Sequence, residues 1–338
     1  MSDLSLPIMK PVSSRNAPLE MQPQEFREVG YQLVDTLADF LGSVSERRIA
    51  HDATPAGIQK LLGNGSLPEQ GASAASLMGE AAQLLIDHSL LNGHPRFMSY
   101  ITSSAAPIGA LADLLAATVN PNVGAWTLSP MAAEIERQTV RWIAEMVGYP
   151  SDSGGLLVSG GNMANFIGVL AARRAKADWD VRTDGLRPSN AGKLLIYTSR
   201  ETHTWVEKAG DLFGFGTSAI RWIPTDTSLR MNVTELRNQL ETDLAAGNRP
   251  FIVVGTAGSV STGAIDPLPA IAEICREHNL WFHVDGAYGA FAAVLPNAPH
   301  DLKGLALADS VALDPHKWLY SPLEAGCALV RDALATCA

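Results

Sequence analysis

The spacing of apolar residues along the chain changes near Gly148. Before this residue, apolar positions recur every three or four residues, which is the period of an amphipathic helix. This pattern predicts four helices, at residues 24–41, 74–91, 107 onward and 130–147. The first 23 residues contain four prolines among polar residues and predict an irregular arm.

After Gly148, short apolar runs alternate with helical patterns, which is typical of βαβ units. Six runs predict strands, at residues 156–158, 194–197, 220–223, 251–254, 281–284 and 311–313. We therefore expect an α/β fold with a mainly parallel sheet and helices on both faces. A seventh run, Cys327–Val330, follows too closely for an intervening helix, so it predicts an antiparallel edge strand.

These changes of pattern predict three parts of the chain. They are an irregular arm over residues 1–23, a helical segment over 24–105 and an α/β domain over 106–338. In such domains, ligands bind beyond the carboxyl ends of the parallel strands. Residues that directly follow a strand are therefore the candidates for a functional site.

Composition and charge narrow the classes of function. A net charge of −10 and a pI near 5.3 argue against a nucleic-acid partner, because phosphate binding needs a basic surface. Three cysteines without CxxC spacing predict no disulfide framework and fit the cytoplasm. No apolar signal core begins the chain, and the longest apolar span, Ile108 to Val119, is too short for a bilayer. We therefore expect no export by that route and no membrane span.

A lysine follows the strand predicted at residues 311–313, in the stretch Asp314-Pro315-His316-Lys317-Trp318. Partial burial and a neighbouring imidazole both disfavour the ammonium form of Lys317. A lysine in that setting becomes a nucleophilic amine that can form a Schiff base. The alternative is a solvated loop residue with no chemical role.

Two glycines follow the first predicted strand, in Ser159-Gly160-Gly161-Asn162, and lead into a helix. Their backbone N–H groups can approach a phosphate at the helix N-terminus, although a plain tight turn has the same pattern. The stretch Gly214–Ala219 imitates a dinucleotide-binding motif, but it precedes a strand, and we reject it.

An acid ends the fifth predicted strand, in His283-Val284-Asp285, and small residues follow it. A carboxylate there needs a cation or several hydrogen-bond donors. His283 and Asp285 could share a metal ion, but no further ligands have matching spacing. A protonated heterocycle is the alternative partner, with Ala287 leaving room for a flat ring.

Two further loops carry candidate ligand groups. His203 follows the second strand and could stack on a ring or serve only as a capping residue. The hydroxyl-rich loop at residues 99–104 could hold a carboxylate or cap the next helix. One ligand uses the phosphate turn, the acid, the imidazole and the lysine together, and it is pyridoxal 5′-phosphate.

From about Pro23 to Arg331 the chain resembles the group II pyridoxal-phosphate-dependent amino acid decarboxylases, which include aromatic-L-amino-acid and glutamate decarboxylases. The matching motifs are His94–Phe97, Glu134–Glu136, Ser159–Asn165, the His203 segment, Val284–Gly289 and Asp314–Trp318. The last two of these, in this order and spacing, are highly specific for the family.

The resemblance implies the large domain of a fold-type I pyridoxal-phosphate enzyme. By it, Lys317 would be the Schiff-base lysine, Asp285 the partner of the pyridinium nitrogen and His203 the stacking imidazole. The remaining implied contacts are Gly161, Asn162, Ser310 and Asp314 around the phosphate, Ala287 beside the ring, His316 beside the lysine, and Thr102 near the substrate carboxylate.

The implied activity is that of a lyase that decarboxylates an L-amino acid to its amine and CO2. We expect an aromatic substrate, since the chain offers no clear clamp for a second carboxylate apart from Arg96. An aldehyde-forming oxidative decarboxylase, an aminotransferase and a non-catalytic cofactor-binding fragment are the alternatives. The helix at residues 24–41 is a candidate homodimer contact.

The chain departs from this family after the lysine. Family members continue through a mobile catalytic loop that carries a tyrosine and then a small C-terminal domain, whereas this sequence ends at Ala338. We therefore expect a truncated form with weak decarboxylation.

Overall fold

The computed structural model describes residues 20–63, 65–186 and 192–332. These residues form two compact units, which divide between Met98 and Ser99. Most of the predicted arm, residues 1–19, lies outside the described residues, as does Cys337.

The first unit is helical, as its apolar periodicity predicts. It contains α1 (Pro23–Ser43), α2 (Pro55–Leu62) and α3 (Ala74–His88). The Thr54 side chain caps α2 and the Ser73 side chain caps α3, each accepting a hydrogen bond from a backbone N–H group. Helices α1 and α3 pack against each other.

The second unit is an α/β structure that contains the remaining helices and all the strands of the described residues. Its helices are α4 (Pro107–Val119), α5 (Pro130–Met146), α6 (Gly161–Lys176), α7 (Val181–Asp184), α8 (Trp205–Leu212), α9 (Val233–Ala245), α10 (Leu268–Glu277) and α11 (Pro315–Trp318). Its strands are β1 (Gly154–Val158), β2 (Leu194–Ser199), β3 (Ile220–Ile223), β4 (Arg249–Thr256), β5 (Trp281–Asp285), β6 (Ser310–Leu313) and β7 (Gly326–Val330).

The seven strands form one sheet in the order β1-β7-β6-β5-β4-β2-β3. Every neighbouring pair from β6 to β3 is parallel, which confirms the mainly parallel sheet. Strand β7 is antiparallel to β6, as predicted, but the prediction that it is an edge strand is wrong. The first strand of the chain, β1, pairs with the outer side of β7 and covers that edge.

Alternate residues of the central strands supply the apolar core on both faces of the sheet. On one face, Leu195 and Tyr197 of β2 belong to a buried cluster with side chains of α5, α9 and α10. On the other face, Leu194 and Ile196 join a cluster with α6 and α8. This two-sided burial explains the continuous apolar runs of the strands.

The edge strand β1 has a built-in hydrogen-bond partner for its outward side. The backbone N–H of Leu157 donates to Glu136 Oε1 of α5 at 2.8 Å. An edge strand otherwise presents unpaired backbone groups that can recruit another chain.

Within the described ranges, no helix is long and apolar enough to cross a membrane.

A buried carboxylate fixes the other end of the sheet. Asp243 of α9 accepts hydrogen bonds from the Tyr197 hydroxyl at 2.9 Å and from the guanidinium of Arg221, with an Nη2–Oδ1 distance of 2.8 Å. Burial alone would raise the pKa of Asp243, but hydrogen bonds from Arg221, Gln239 and Tyr197 lower it below its usual value. Asp243 therefore joins α9 to β2 and β3.

We expect Asp243→Ala to lower the free energy of unfolding by about 3 kcal/mol, because Arg221 and the Tyr197 hydroxyl lose a buried partner. Urea unfolding at neutral pH measures this change. The control is Glu277→Ala, which removes an exposed ion pair with Arg237 and should lower the free energy of unfolding far less. Equal losses in the two variants would show that Asp243 does not join these elements.

Candidate active site

The carboxyl ends of β1, β2, β4, β5 and β6 lie at one edge of the sheet and border a cavity of about 610 Å³. Nine residues predicted from the sequence line this cavity. They are Thr102, Gly161, Asn162, His203, Asp285, Ala287, Asp314, His316 and Lys317. The fold thus brings together segments that are up to 215 residues apart in the chain.

Lys317 reaches the cavity from the short helix α11, which follows β6 after a single residue. Its Nζ atom lies 3.0 Å from Asp314 Oδ2, and its side chain is mostly buried. Asp314 is almost fully buried, and burial raises the pKa of its carboxyl while the nearby Lys317 ammonium lowers it. The lysine is therefore paired and held at the cavity wall.

The ring of His316 is oriented by the chain that returns towards β7. The Ala325 N–H donates to His316 Nδ1 at 3.0 Å, so in the neutral ring the proton is on Nε2. This Nε2 lies 3.7 Å from Asp314 Oδ2. The Ser103 hydroxyl donates to the His316 carbonyl at 2.9 Å, which ties the hydroxyl-rich loop to the lysine segment.

Asp285 ends β5 inside the cavity with two hydrogen-bond donors in place. The indole N–H of Trp205 donates to Asp285 Oδ2 at 2.7 Å, and the Ala287 N–H donates to Oδ1 at 3.2 Å. Hydrogen bonds to both oxygens fix the orientation of the carboxyl group. Asp285 is therefore arranged to accept a further proton-bearing group from the cavity.

The Gly160-Gly161 turn joins β1 to α6 and exposes the helix N-terminus to the cavity. Gly160 has φ of 110°, a conformation that favours glycine, and no side chain caps α6. A Cβ built on Gly161 would lie 2.7 Å from Asp314 Oδ2 and 3.1 Å from the Ala287 Cβ atom. The turn therefore offers uncapped N–H groups in a space that a side chain at residue 161 would fill.

A chain of buried hydrogen bonds lies beneath this turn. Asn165 Nδ2 donates to the Gly161 carbonyl at 2.8 Å, and Asn165 Oδ1 lies 2.8 Å from His283 Nε2. His283 Nδ1 lies 2.7 Å from the Ser310 hydroxyl. Complete burial lowers the pKa of His283 to about 4, so the ring is neutral and donates through Nε2.

This chain of hydrogen bonds bears on two possibilities raised by the sequence: Ser310 at a phosphate, and a metal ion shared by His283 and Asp285. Ser310 does not line the cavity, because its hydroxyl is engaged by His283 and by the Trp281 indole N–H at 2.8 Å. Its expected position at a phosphate is therefore not the one the structure gives. Both ring nitrogens of His283 are likewise engaged, so this side chain has no nitrogen free for a metal ion shared with Asp285.

The His203 segment and the hydroxyl-rich loop at residues 99–104 both border the cavity. His203 is exposed at the cavity wall, and its Nδ1 accepts from the Trp205 N–H at 3.3 Å. Thr102 also lines the cavity. Helix α4 begins at Pro107 after Ala106 without a side-chain cap, so the hydroxyl-rich loop does not serve that capping role.

Sequence reasoning missed three residues of the site. Trp205 stands two positions after His203, and an indole that close to a candidate ring site was the available signal. Asn165 lies one helical turn after Gly161, on the same face of α6. Glu324 lines the cavity, but its position depends on the return of the chain to β7, which no local pattern indicates.

The donor set fits a flat, phosphorylated aldehyde. An amine, a carboxylate held by two donors and an uncapped helix N-terminus face one cavity, and the Oδ1 atom of Asp314 is buried without a partner among the described residues. Within this α/β fold, the arrangement defines a site suited to a pyridoxal-phosphate enzyme.

Comparison with known proteins identifies the family. Residues 55–337 match the pyridoxal-dependent decarboxylase conserved domain, and the chain belongs to this family. Its resemblance to group II decarboxylases is confirmed.

Similar proteins show both the likeness and its extent. An aromatic-L-amino-acid decarboxylase of Bacillus atrophaeus is 33% identical, over 93% of this chain and 63% of the relative. A phenylacetaldehyde synthase of Petunia hybrida is 29% identical, over 92% and 62%. The crystal structure of Oryza sativa TDC with PLP and tryptamine is 28% identical, has a TM-score of 0.85 and matches 94% of this chain and 66% of that one. The chain thus spans under two thirds of these curated relatives.

We expect Trp205 and Asp285 to be energetically coupled, because the indole N–H is a buried donor to the carboxylate. A double-mutant cycle of Trp205→Phe and Asp285→Ala, followed by urea unfolding, should give a coupling of about 1–3 kcal/mol. Trp142→Phe on the exposed face of α5 is the control and should change stability by at most about 0.5 kcal/mol. Additive losses in the cycle would mean that the 2.7 Å contact contributes nothing to stability.

Proposed function

We propose that this chain is the cofactor-binding part of a pyridoxal-phosphate-dependent lyase that decarboxylates an aromatic L-amino acid to the amine and CO2. The observation that carries the proposal is the presence of Lys317 Nζ, the Asp285 carboxylate and the Gly160-Gly161 turn around one cavity. Membership of the decarboxylase family and the relatives described above support it.

Each residue has a role in this proposal that follows from its surroundings. Lys317 is the amine to which the cofactor attaches, and α6 offers its uncapped N–H groups to the phosphate. Asp285, held by Trp205 and Ala287, keeps the ring nitrogen protonated. When bound, pyridoxal 5′-phosphate accepts the electron pair that loss of CO2 leaves on the substrate.

Two more residues complete the proposed site. The exposed ring of His203 at the cavity wall stacks on the flat face of the cofactor. Thr102, which precedes the other segments of the site in the sequence, lines the same cavity and orients the substrate carboxylate. Both roles follow the resemblance to group II decarboxylases and are supported by the position of these residues in the cavity lining.

The cavity lining favours an aromatic substrate over an acidic one. No arginine is among the described residues that line the cavity, and Lys317 is the one lysine there. Apolar and aromatic side chains are present instead, including Phe166, Val260 and Tyr288. A second substrate carboxylate would therefore lack a dedicated cation.

We further propose that the protein works as a homodimer in the cytoplasm. Helix α1 supports a subunit contact, because Phe26, Leu37 and Leu41 of its apolar stripe are exposed among the described residues. The two described cysteines, Cys275 and Cys327, are buried free thiols, which is consistent with a reducing compartment.

We expect Lys317→Ala to abolish the visible absorbance that pyridoxal 5′-phosphate acquires on attachment to the protein, because no other lysine lines the described cavity. Spectra of the protein mixed with the cofactor and then freed of excess ligand measure this. Lys208→Ala, on the exposed side of α8, is the matched control and should keep the full absorbance. Survival of the absorbance in Lys317→Ala would refute the attachment site.

A panel of L-amino acids tests the reaction and the substrate class. We expect CO2 and the corresponding amine in equal amounts, with tyrosine, tryptophan or phenylalanine turned over at least about tenfold faster than glutamate or aspartate, which is about 1.4 kcal/mol of discrimination. An aldehyde with ammonia would favour the reaction named for the Petunia hybrida relative. Preference for an acidic substrate would overturn the substrate assignment and leave the cofactor assignment intact.

A further inference from the structure

A second cavity, of about 1000 Å³, lies beside the last turns of α6. Strand β1, α6 and the segment that contains α7 supply the described residues around it. Helix α6 is 16 residues long, so its last turn is about 20 Å from the Gly160-Gly161 turn at its start. No described residue lines both this cavity and the candidate active site, so the two are separate.

Three arginines from two helices line this cavity. Arg173 and Arg174 belong to the last turn of α6, and Arg182 belongs to α7. The dipole of α6 favours cations at its C-terminus, which accounts for two of them but not for the one on α7. Asp180 is the one acid among the described lining residues, and its carboxylate caps α7 by accepting from the Arg182 N–H at 3.0 Å and the Thr183 hydroxyl at 2.7 Å. The cavity is therefore positively charged in a chain whose net charge is −10.

Arg173 is the arginine whose surroundings need an anion most. It is partly buried, and its guanidinium makes no hydrogen bond or ion pair with another described residue. Burial lowers the pKa of Arg173, and no acid opposes this change. The acid that follows α6, Asp178, is already paired with Arg249, with an Nη1–Oδ1 distance of 2.8 Å. A partly desolvated cation without an anion is costly, and a bound anion would offset that cost.

The rest of the cavity wall is largely apolar. Leu156 of β1 and Ile167 and Leu170 of α6 line it, and Trp179 faces it from the segment after α6. The indole N–H of Trp179 donates to the Gly185 carbonyl at 2.9 Å, which fixes the orientation of the ring. An apolar wall with a few charged groups is typical of sites that bind small organic molecules.

We propose that this cavity is a second binding site, which takes a small organic anion with an apolar body. The carboxylate or phosphate group of the ligand pairs with the guanidinium groups of Arg173 and Arg182, whose planar forks match both kinds of oxyanion. The apolar body lies against Leu156, Ile167 and Leu170. The site goes beyond the proposed function and does not depend on it.

Calorimetric titration of the whole chain with two probes tests the site. The probes are 3-phenylpropionate and phenyl phosphate, which lack an aldehyde and an amine, and the neutral comparison is 3-phenylpropionamide. We expect at least one anion to bind with a dissociation constant on the order of 1 mM or below, and the amide to bind far more weakly. Tighter binding of 3-phenylpropionate would assign a carboxylate as the natural ligand group, and tighter binding of phenyl phosphate a phosphate monoester.

Arginine variants locate the bound anion. We expect Arg173→Gln to weaken binding of the preferred probe by about tenfold or more, because a charge-assisted hydrogen bond is lost, and the exposed Arg182→Gln to weaken it less. Arg27→Gln, on the exposed side of α1, removes the same charge elsewhere and should leave the affinity unchanged.

Three results would overturn the site. They are no saturable binding of either anion, equal binding of the amide and 3-phenylpropionate, and unchanged affinity in both Arg173→Gln and Arg182→Gln. The comparison with the amide uses the unaltered chain, so it decides the question even if Arg173→Gln does not fold. None of these results bears on attachment of pyridoxal 5′-phosphate at Lys317, so the proposed function stands or fails separately.

Discussion

The site depends on the two hydrogen bonds made by the neutral imidazole of His283, one to Asn165 and one to Ser310. The imidazole is fully buried between β5, β6 and α6, and it can connect them only because each ring nitrogen has a partner of the correct type. Through Asn165 it holds the first turn of α6, and through Ser310 it holds the start of β6. The residues that face the cavity are thus positioned by a buried polar chain, of which Asn165 lines the cavity while His283 and Ser310 lie beneath it.

This arrangement separates the residues that hold the site from those that act in it. Asp285 stands two residues after His283 on β5, and its orientation is set by the indole of Trp205. Asp314 and Lys317 follow β6, whose first residue is bonded to the same imidazole. A displacement of β5 against β6 would change the distance between the acid and the lysine, and the hydrogen bond between His283 and Ser310 opposes that displacement.

Much of the fold and part of the site followed from the sequence because both depend on local patterns. Short continuous apolar runs located the strands. Lys317, Asp285 and Gly161 stood where strands end, so their convergence on one edge was predictable. The hydrogen-bond partner of Ser310 was not predictable. A hydroxyl at the start of a strand can face the cavity or the layer beneath it, and the sequence does not distinguish these two orientations. The order of strands was equally hidden, since the pairing of β1 with β7 joins segments with no shared local signal.

That pairing has a consequence for the assembly of the domain. Strand β1 is made first among the strands, yet its one strand partner among the described residues is β7, which is made last. During synthesis, β1 and the Gly160-Gly161 turn that follows it must wait for about 170 residues to emerge before they gain a fixed position. The lysine segment, which lies just before β7, emerges at nearly the same moment as that partner. The Gly160-Gly161 turn and the lysine segment therefore gain their fixed positions at nearly the same late stage of synthesis.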